Sequence, residues 1–297
     1  MRRFITLSAA LAACASAPQP KPPDTSDAVQ AERLTVTDQT LTSFSVEAKL
    51  SITNPTQDTW TVTGASDELW VDGTQAATDN PSVSQTIAPG GTGEVTIPAS
   101  AEPIKDEASL RAWASRGDDK PIPLLLKGQL HVTEGAESKD LPFSRAGELR
   151  APRLPVPKMD DAEVARYEGG DLGISFFLGL ENQNAFPVHV KSVTYTAKLA
   201  GRQVADGIAT AGDKLPPSQI SEYEVDAKLE RDQGGADVTK QAESGPLPYE
   251  FDGEADFGIT KVPIHLTGSL TFGKKSDGHH APKPAEGGDA PKPADDQ

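Results

Sequence analysis

Few side chains in this sequence are of a type that does covalent or metal chemistry, and their spacing is the first constraint. There is one cysteine, Cys14, and there are five histidines. His131, His189 and His265 stand singly in segments that read as strands, with no second His, Cys or carboxylate at the spacing of a metal-ligand pair. His279 and His280 are adjacent in a Pro/Gly-rich tail, and two neighbours without further ligands do not make a site. A single thiol excludes a disulfide framework and a cysteine zinc cluster. No Gly-x-Ser-x-Gly elbow, phosphate-cradling glycine loop or His-Glu-x-x-His pair occurs, and Gly287-Gly288 lies in the tail rather than after a strand. With 44 Asp and Glu residues, some carboxylates must be neighbours in space, as in a glycosidase acid/base pair. Sequence singles out none of them, and solvated faces account for such acids. The residues predict no catalytic group, no metal and no cofactor, so the chain reads as a non-enzyme.

Cys14 does have a chemical context. Arg2 and Arg3 precede an apolar run from Phe4 that ends in Leu11-Ala12-Ala13. Charge, apolar run and small residues, in that order, make a secretory signal, too short to anchor in a bilayer. Leu11-Ala12-Ala13-Cys14 resembles a bacterial lipobox, in which the thiol is lipidated and the chain is cut just before it. Small side chains at 12 and 13 let the backbone fit a peptidase groove. The resemblance implies two or three acyl chains at Cys14, and two suffice for stable anchoring where one gives only reversible binding. Ala15 and Ser16 lack the aspartate associated with inner-membrane retention. That favours a lipid anchor in the outer membrane of a bacterial envelope, at its periplasmic face or on the cell surface. Residues 1–13 are then the signal peptide, and losing their two arginines takes the formal charge from −16 to −18. Residues 14–32 form a Pro-rich tether, and residues 274–297, with Ala-Pro-Lys-Pro-Ala twice, a disordered acidic tail. The acidic balance excludes nucleic acid as a partner, because no counterion-release term is available.

The elements between tether and tail repeat. Phe44 to Ile52 alternates apolar and polar residues, as a half-buried strand does, and Asn54-Pro55 follows. Leu172 to Leu180 shows the same pattern and runs into Asn182-Gln183-Asn184, an offset of 128 residues. Val71-Asp72-Gly73 and Leu199-Ala200-Gly201 keep that offset, as do Ile87-Ala88-Pro89 and Leu215-Pro216-Pro217. After a small deletion Pro121-Ile122-Pro123 and Gly128 meet Pro246-Leu247-Pro248 and Gly253. Then Leu141-Pro142-Phe143 and Gly147 meet Val262-Pro263-Ile264 and Gly268. Each unit therefore predicts about seven short strands in an antiparallel sandwich, an all-β fold with minor α. One helix is predicted over Asp106–Ser115, with Asp106 as N-cap, Gly117 as stop, and Leu110 and Trp113 against the sheet. Asp232 to Ser244 is its weaker counterpart.

These motifs carry a family resemblance. An alternating strand ends in Leu50-Ser51-Ile52-Thr53-Asn54-Pro55, a second strand closes on Val71-Asp72-Gly73, and a third is entered through Ile87-Ala88-Pro89-Gly90-Gly91. Each unit thus resembles the water stress and hypersensitive response (WHy) domain of type 2 late embryogenesis abundant proteins. The second unit departs from it, with Gln183 in place of the proline and Ala-Gly at 200–201. The resemblance implies two tandem fibronectin-III-like sandwiches, over 33–149 and 164–273, joined by a linker at 150–163. Asn54, Pro55, Gly73, Asn182 and Gly201 read as structural turn residues, because Asn tolerates unusual backbone angles and Pro ends ladder pairing. Trp60, Trp70 and Trp113 read as core, or, if exposed, as a sugar or peptide platform. The resemblance implies a role in desiccation and osmotic stress, with the acidic surface holding water and ions. The alternative is an envelope interaction module that offers loops or a sheet edge to a protein partner.

Overall fold

The computed structural model describes residues 27–117, 120–166, 172–209, 214–231 and 234–270. The first half holds β1 (Val29–Gln39), β2 (Phe44–Thr53), β3 (Trp60–Val71), β4 (Thr74–Asp79), β5 (Gln85–Ile87), β6 (Thr92–Ala101), α1 (Glu107–Ala114), β7 (Ile122–Glu134) and β8 (Glu137–Leu149). The second holds β9 (Val156–Arg166), β10 (Leu172–Asn182), β11 (Ser192–Leu199), β12 (Arg202–Ala209), β13 (Gln219–Leu229), α2 (Gly235–Ser244), β14 (Leu247–Asp256) and β15 (Lys261–Leu270). The pairs between these strands are antiparallel.

Each half is a sandwich of two sheets. In the first, β1-β2-β6 faces β4-β3-β7-β8, with β5 paired to β3. In the second, β13-β10-β9 faces β12-β11-β14-β15. The two strand orders are the same once β5 is set aside, and the β5 pair Trp60–Ile87 has its counterpart in the second half as the single bridge Val188–Leu215. The alternation read in β2 is observed: Phe44, Val46, Ala48, Leu50 and Ile52 are buried, and the residues between them are not. Inward residues from facing sheets, such as Leu50, Trp60, Ile97 and Leu126, form one core. Phe176, Leu178, Val193 and Phe251 do so in the other half. Burying each such side chain contributes about 1.5–3 kcal/mol relative to leaving it exposed.

Turn chemistry recurs with the strands. Asp72-Gly73 joins β3 to β4 with both φ angles positive, at 51° and 77°. Ala200-Gly201 joins β11 to β12 at 50° and 78°. Two positive φ angles define the type I′ hairpin turn, whose twist matches the flanking strands and whose second position suits glycine.

Two boundaries differ from the sequence reading. β1 begins at Val29, so residues 29–31, expected in the tether, pair with Leu50–Ile52 of β2, and Glu32 sits at a bulge. The expected linker at 150–163 ends early, because Val156 onward is β9 and pairs with β10. Its prolines suggested an unpaired connector. Yet β9 lies at a sheet edge, where Pro157 can sit opposite Leu180 without a second neighbour to serve.

The helix α1 is capped as predicted. The Asp106 carboxylate accepts from the Ser109 N–H at 2.8 Å, and the Ser109 hydroxyl lies 3.3 Å from the Asp106 N–H as acceptor, which closes a capping box. Its packing differs from the expectation of a helix lying on its own sheet. Leu110, with Leu41 and Ile104, joins the core of the second sandwich, and Trp113 packs against both cores. The Arg111 guanidinium donates to the Lys261 carbonyl at 2.9 Å, and the Thr260 hydroxyl donates to Glu107 at 2.8 Å. The helix thereby ties the first half to the β14–β15 turn of the second.

Candidate functional site

Asn54 and Asn182, read as turn residues, are wholly buried at the ends of β2 and β10. The Asn54 amide donates to the carbonyls of Asp58, Ile87 and Ala88 at 2.8, 3.2 and 3.3 Å. Its carboxamide oxygen accepts from the Thr56 N–H and hydroxyl. Asn182 donates to Phe186, Leu215 and Pro216, and accepts from the N–H and side chain of Asn184. Each asparagine is fully bonded within the fold, so both hold loops together. Pro55 is exposed just past the end of β2.

Chemistry of another kind collects on the β4-β3-β7-β8 sheet of the first half. There a cavity of about 590 Å³ is lined by Asp67, Asp79, Lys127, Gly128, Phe143 and their neighbours. The register sets them in one row: Asp67 opposes Asp79 on one side and Gly128 on the other, and Gly128 opposes Phe143. Gly128 is required by close approach, since a Cβ there would stand 2.1 Å from the Ser66 carbonyl oxygen and 2.8 Å from the Phe143 ring. Asp67 is only 4% exposed, and its Oδ2 has no hydrogen-bond partner. Loss of water, with the Asp79 charge adding to it, pushes the Asp67 carboxyl up to about 6. Lys127 sits 3.0 Å from Glu68 and 4.6 Å above the Trp70 ring, so its charge is already engaged. Sequence reading missed this carboxylate because nothing local distinguishes Asp67 from the solvated acids. Only the parity it shares with Ala65, Leu69 and Val71 marked it as inward-facing.

The histidines are less isolated than their spacing suggested. His131 Nδ1 lies 2.7 Å from Asp140 across β7 and β8, and His265 Nδ1 lies 2.6 Å from Asp252 across β14 and β15. Glu250, Asp252 and His265 come within 4.8 Å of one another, a grouping that could hold a metal. The Lys198 ammonium lies beside both acids, at 3.1 Å from Glu250 and 3.6 Å from Asp252, and supplies the charge a metal would bring. His189 is exposed in the connection between β10 and β11, not on a strand. Cross-strand pairing brings these groups together, which in-line spacing cannot reveal.

Of the tryptophans, Trp60 is core and donates to the Thr56 hydroxyl at 3.0 Å. Trp70 is half-buried and donates to Glu68. Leu11, Ala12, Ala13 and Cys14, like His279 and His280, lie outside the described residues. No helix among the described residues is long and apolar enough to cross a membrane.

Residues 177–269 match the family model of the late embryogenesis abundant proteins, LEA_2. The match begins inside β10 and ends inside β15, within the second sandwich. It bears out the type 2 late embryogenesis abundant resemblance for that segment. No curated protein matches the chain. Among solved structures, a protein from Archaeoglobus fulgidus is 13% identical over 42% of this chain and 99% of its own, with a TM-score of 0.32. Red sea bream transglutaminase is 12% identical, over 80% of this chain and 32% of its own, with a TM-score of 0.26. A Bacteroides uniformis beta-glucuronidase is 10% identical, over 77% and 26%, with a TM-score of 0.29. The chain spans about a third or less of those two enzymes, and similarities this low carry no functional argument.

Proposed function

We propose that this is a non-enzymatic, lipid-anchored protein of the bacterial cell envelope that contributes to protection against desiccation and osmotic stress. Both sandwiches are taken as WHy-type units in tandem. The observation that carries the reading is the late embryogenesis abundant match over residues 177–269. The first sandwich has the same strand order, the same positive-φ turn and the same buried asparagine, which supports extending the assignment to it. Leu11-Ala12-Ala13-Cys14 supports the anchor, and a net charge of −16 supports a surface that holds water and ions and resists self-association. The test is a drying assay. The purified protein is mixed at sub-stoichiometric ratio with a drying-sensitive enzyme, dried, rehydrated and compared with an equal mass of serum albumin. Protection clearly above albumin is the expected result, and protection equal to albumin's rejects the role. Labelling with radioactive palmitate, lost in Cys14→Ser, tests the anchor separately.

A second reading, an envelope interaction module, draws support from one feature. Edge strand β12 presents Ile208 at 66% exposure, and a sheet edge is a template for pairing with another chain. Cross-linking in cells separates the two readings, because a specific binder gives one dominant adduct and a general protectant gives none.

A further inference from the structure

We propose that the cavity on the β4-β3-β7-β8 sheet binds a small organic cation, an alkylammonium or guanidinium group, with Asp67 and Asp79 as the paired counter-charge. The first argument is the state of Asp67. Asp67 lines the cavity at 4% exposure, and its Oδ2, enclosed by protein atoms, accepts no hydrogen bond, so the fold itself supplies little to balance this charge. It opposes Asp79 directly across the strands, so two like charges line one wall. Lys127, the one cation lining the cavity among the described residues, is held by Glu68 and by the Trp70 ring. A donor that is also positively charged satisfies both acids at once, whereas an anion would be repelled.

The second argument compares the two halves. By register, the second sandwich places Tyr195 where the first has Asp67, Gly253 where it has Gly128, and Ile264 where it has Phe143. Both glycines press equally on a neighbouring strand, with a Cβ 2.1 Å from the Ser66 or the Thr194 carbonyl. The scaffold is thus shared, and the side chain differs. The Tyr195 ring packs over Gly207, its cross-strand partner, and stacks on Phe251 at 5.7 Å between centroids. In the first half that place is taken by a short acid, opposite Asp79 rather than glycine. The space left, about 590 Å³, lies in the range of small-molecule sites. Among the described residues Asp79 accepts only the Asn80 N–H, at 2.8 Å on Oδ1, so Asp67 and Asp79 with Phe143 beside them suit a singly charged head with a short apolar tail better than a bare divalent metal, which needs six or more oxygens when it is calcium.

The test is amide NMR of the full protein at pH 8, titrated with n-butylamine, methylguanidine, n-butanol and calcium chloride. Saturable shifts at Asp67, Asp79 and Gly128 are expected with both cations. Asp67→Asn, which keeps the shape of the side chain, should weaken the affinity at least tenfold while leaving the spectrum of the second sandwich unchanged. Asp79→Asn, on the exposed edge strand, serves as the second variant if the first does not fold. The proposal is overturned if neither cation gives saturable shifts by tens of millimolar, or if butanol shifts the same amides equally. Calcium acting at the same amides at lower concentration than either cation would also overturn it, in favour of a metal. The drying assay is independent of this outcome.

Discussion

The carboxamides of Asn54 and Asn182, 128 residues apart, make the same set of bonds. Each reaches the carbonyl four residues on and two consecutive carbonyls at 33 and 34 residues' distance. Each also accepts from the N–H two residues ahead. One side chain thereby fixes the strand end, the loop after it and the approach to a distant strand.

Replacing either asparagine should therefore destabilise its own half. Asn54→Ala removes the amide from three carbonyls and leaves the Thr56 N–H unmet, while the Ala88 and Asp58 carbonyls keep the Gly91 N–H and the Thr56 hydroxyl, so the cost is about 1–3 kcal/mol. Asn54→Asp loses the donor and adds a buried charge, so it should fare no better. Urea unfolding measures the effect, and a midpoint unchanged in both variants would show that water replaces the amide.

Close approach makes a sharper distinction among glycines. Gly128→Ala and Gly253→Ala should each cost about 3 kcal/mol or more, since backbone stands in the way of the new methyl group. At Gly73 nothing lies within 4 Å, so alanine there meets only the positive φ, a cost of about 1 kcal/mol. Thermal melting of the three variants should rank them in that order.

The coupling of the halves through α1 gives a third expectation. Leu110 is fully buried, and its cluster is continuous with the second core. Leu110→Ala should cost about 2–5 kcal/mol. It should also speed amide exchange in β14 and β15, which a helix packed only on its own sheet would leave protected. Exchange followed by mass spectrometry decides between the two.

The residues that carry these effects were unevenly legible in the sequence. Period-two alternation in Phe44–Ile52 and Leu172–Leu180 exposed the strands, because each has one face in a core. Asp72-Gly73 and Ala200-Gly201 marked hairpins because positive φ selects for glycine. The helix cap was legible since Asp106 and Ser109 act locally. Where proline obeys two rules the sequence misled: an edge strand and a free connector both tolerate Pro157, and only pairing with Leu180 separates them. Side-chain partners across strands, Asp67 with Asp79 and His265 with Asp252, depend on register, which composition does not encode.

His265 and Asp252 stabilise each other's charged forms. The hydrogen bond and charge of Asp252 raise the His265 pKa, and His265 in turn lowers that of Asp252. A raised histidine contributes stability that is complete below its unfolded value near 6.5 and is lost as pH rises through the folded value. The lowered aspartate contributes above its unfolded value and loses this as pH falls through its folded one. The pair is thus most effective in mildly acidic solution. NMR titration of the His265 ring should give a pKa above the ordinary value, and Asp252→Asn should bring it down. A ring titrating identically in both proteins would show the contact to be inert in solution.

Asp67 runs in the opposite sense, and its pH dependence is the larger. Its folded pKa of about 6 lies above the ordinary value of 3.8, so between about pH 4 and 6 the native state holds a proton that the unfolded chain has released. Stability is then highest below about pH 4 as far as this group is concerned, falls as pH rises through 6, and stays reduced above it. Two units of displacement correspond to about 3 kcal/mol, an upper figure because a cavity on one side lets water relax the charge. Asp67→Asn removes the titrating group without changing its shape. It should raise stability at pH 8 by about 1–3 kcal/mol and leave it unchanged at pH 4, so the two proteins' curves converge on the acid side. Urea unfolding at closely spaced pH values provides the comparison. Parallel curves for the two proteins between pH 4 and 7 would mean that Asp67 is ionised and already partnered in solution, and that the cavity carries no unmet charge.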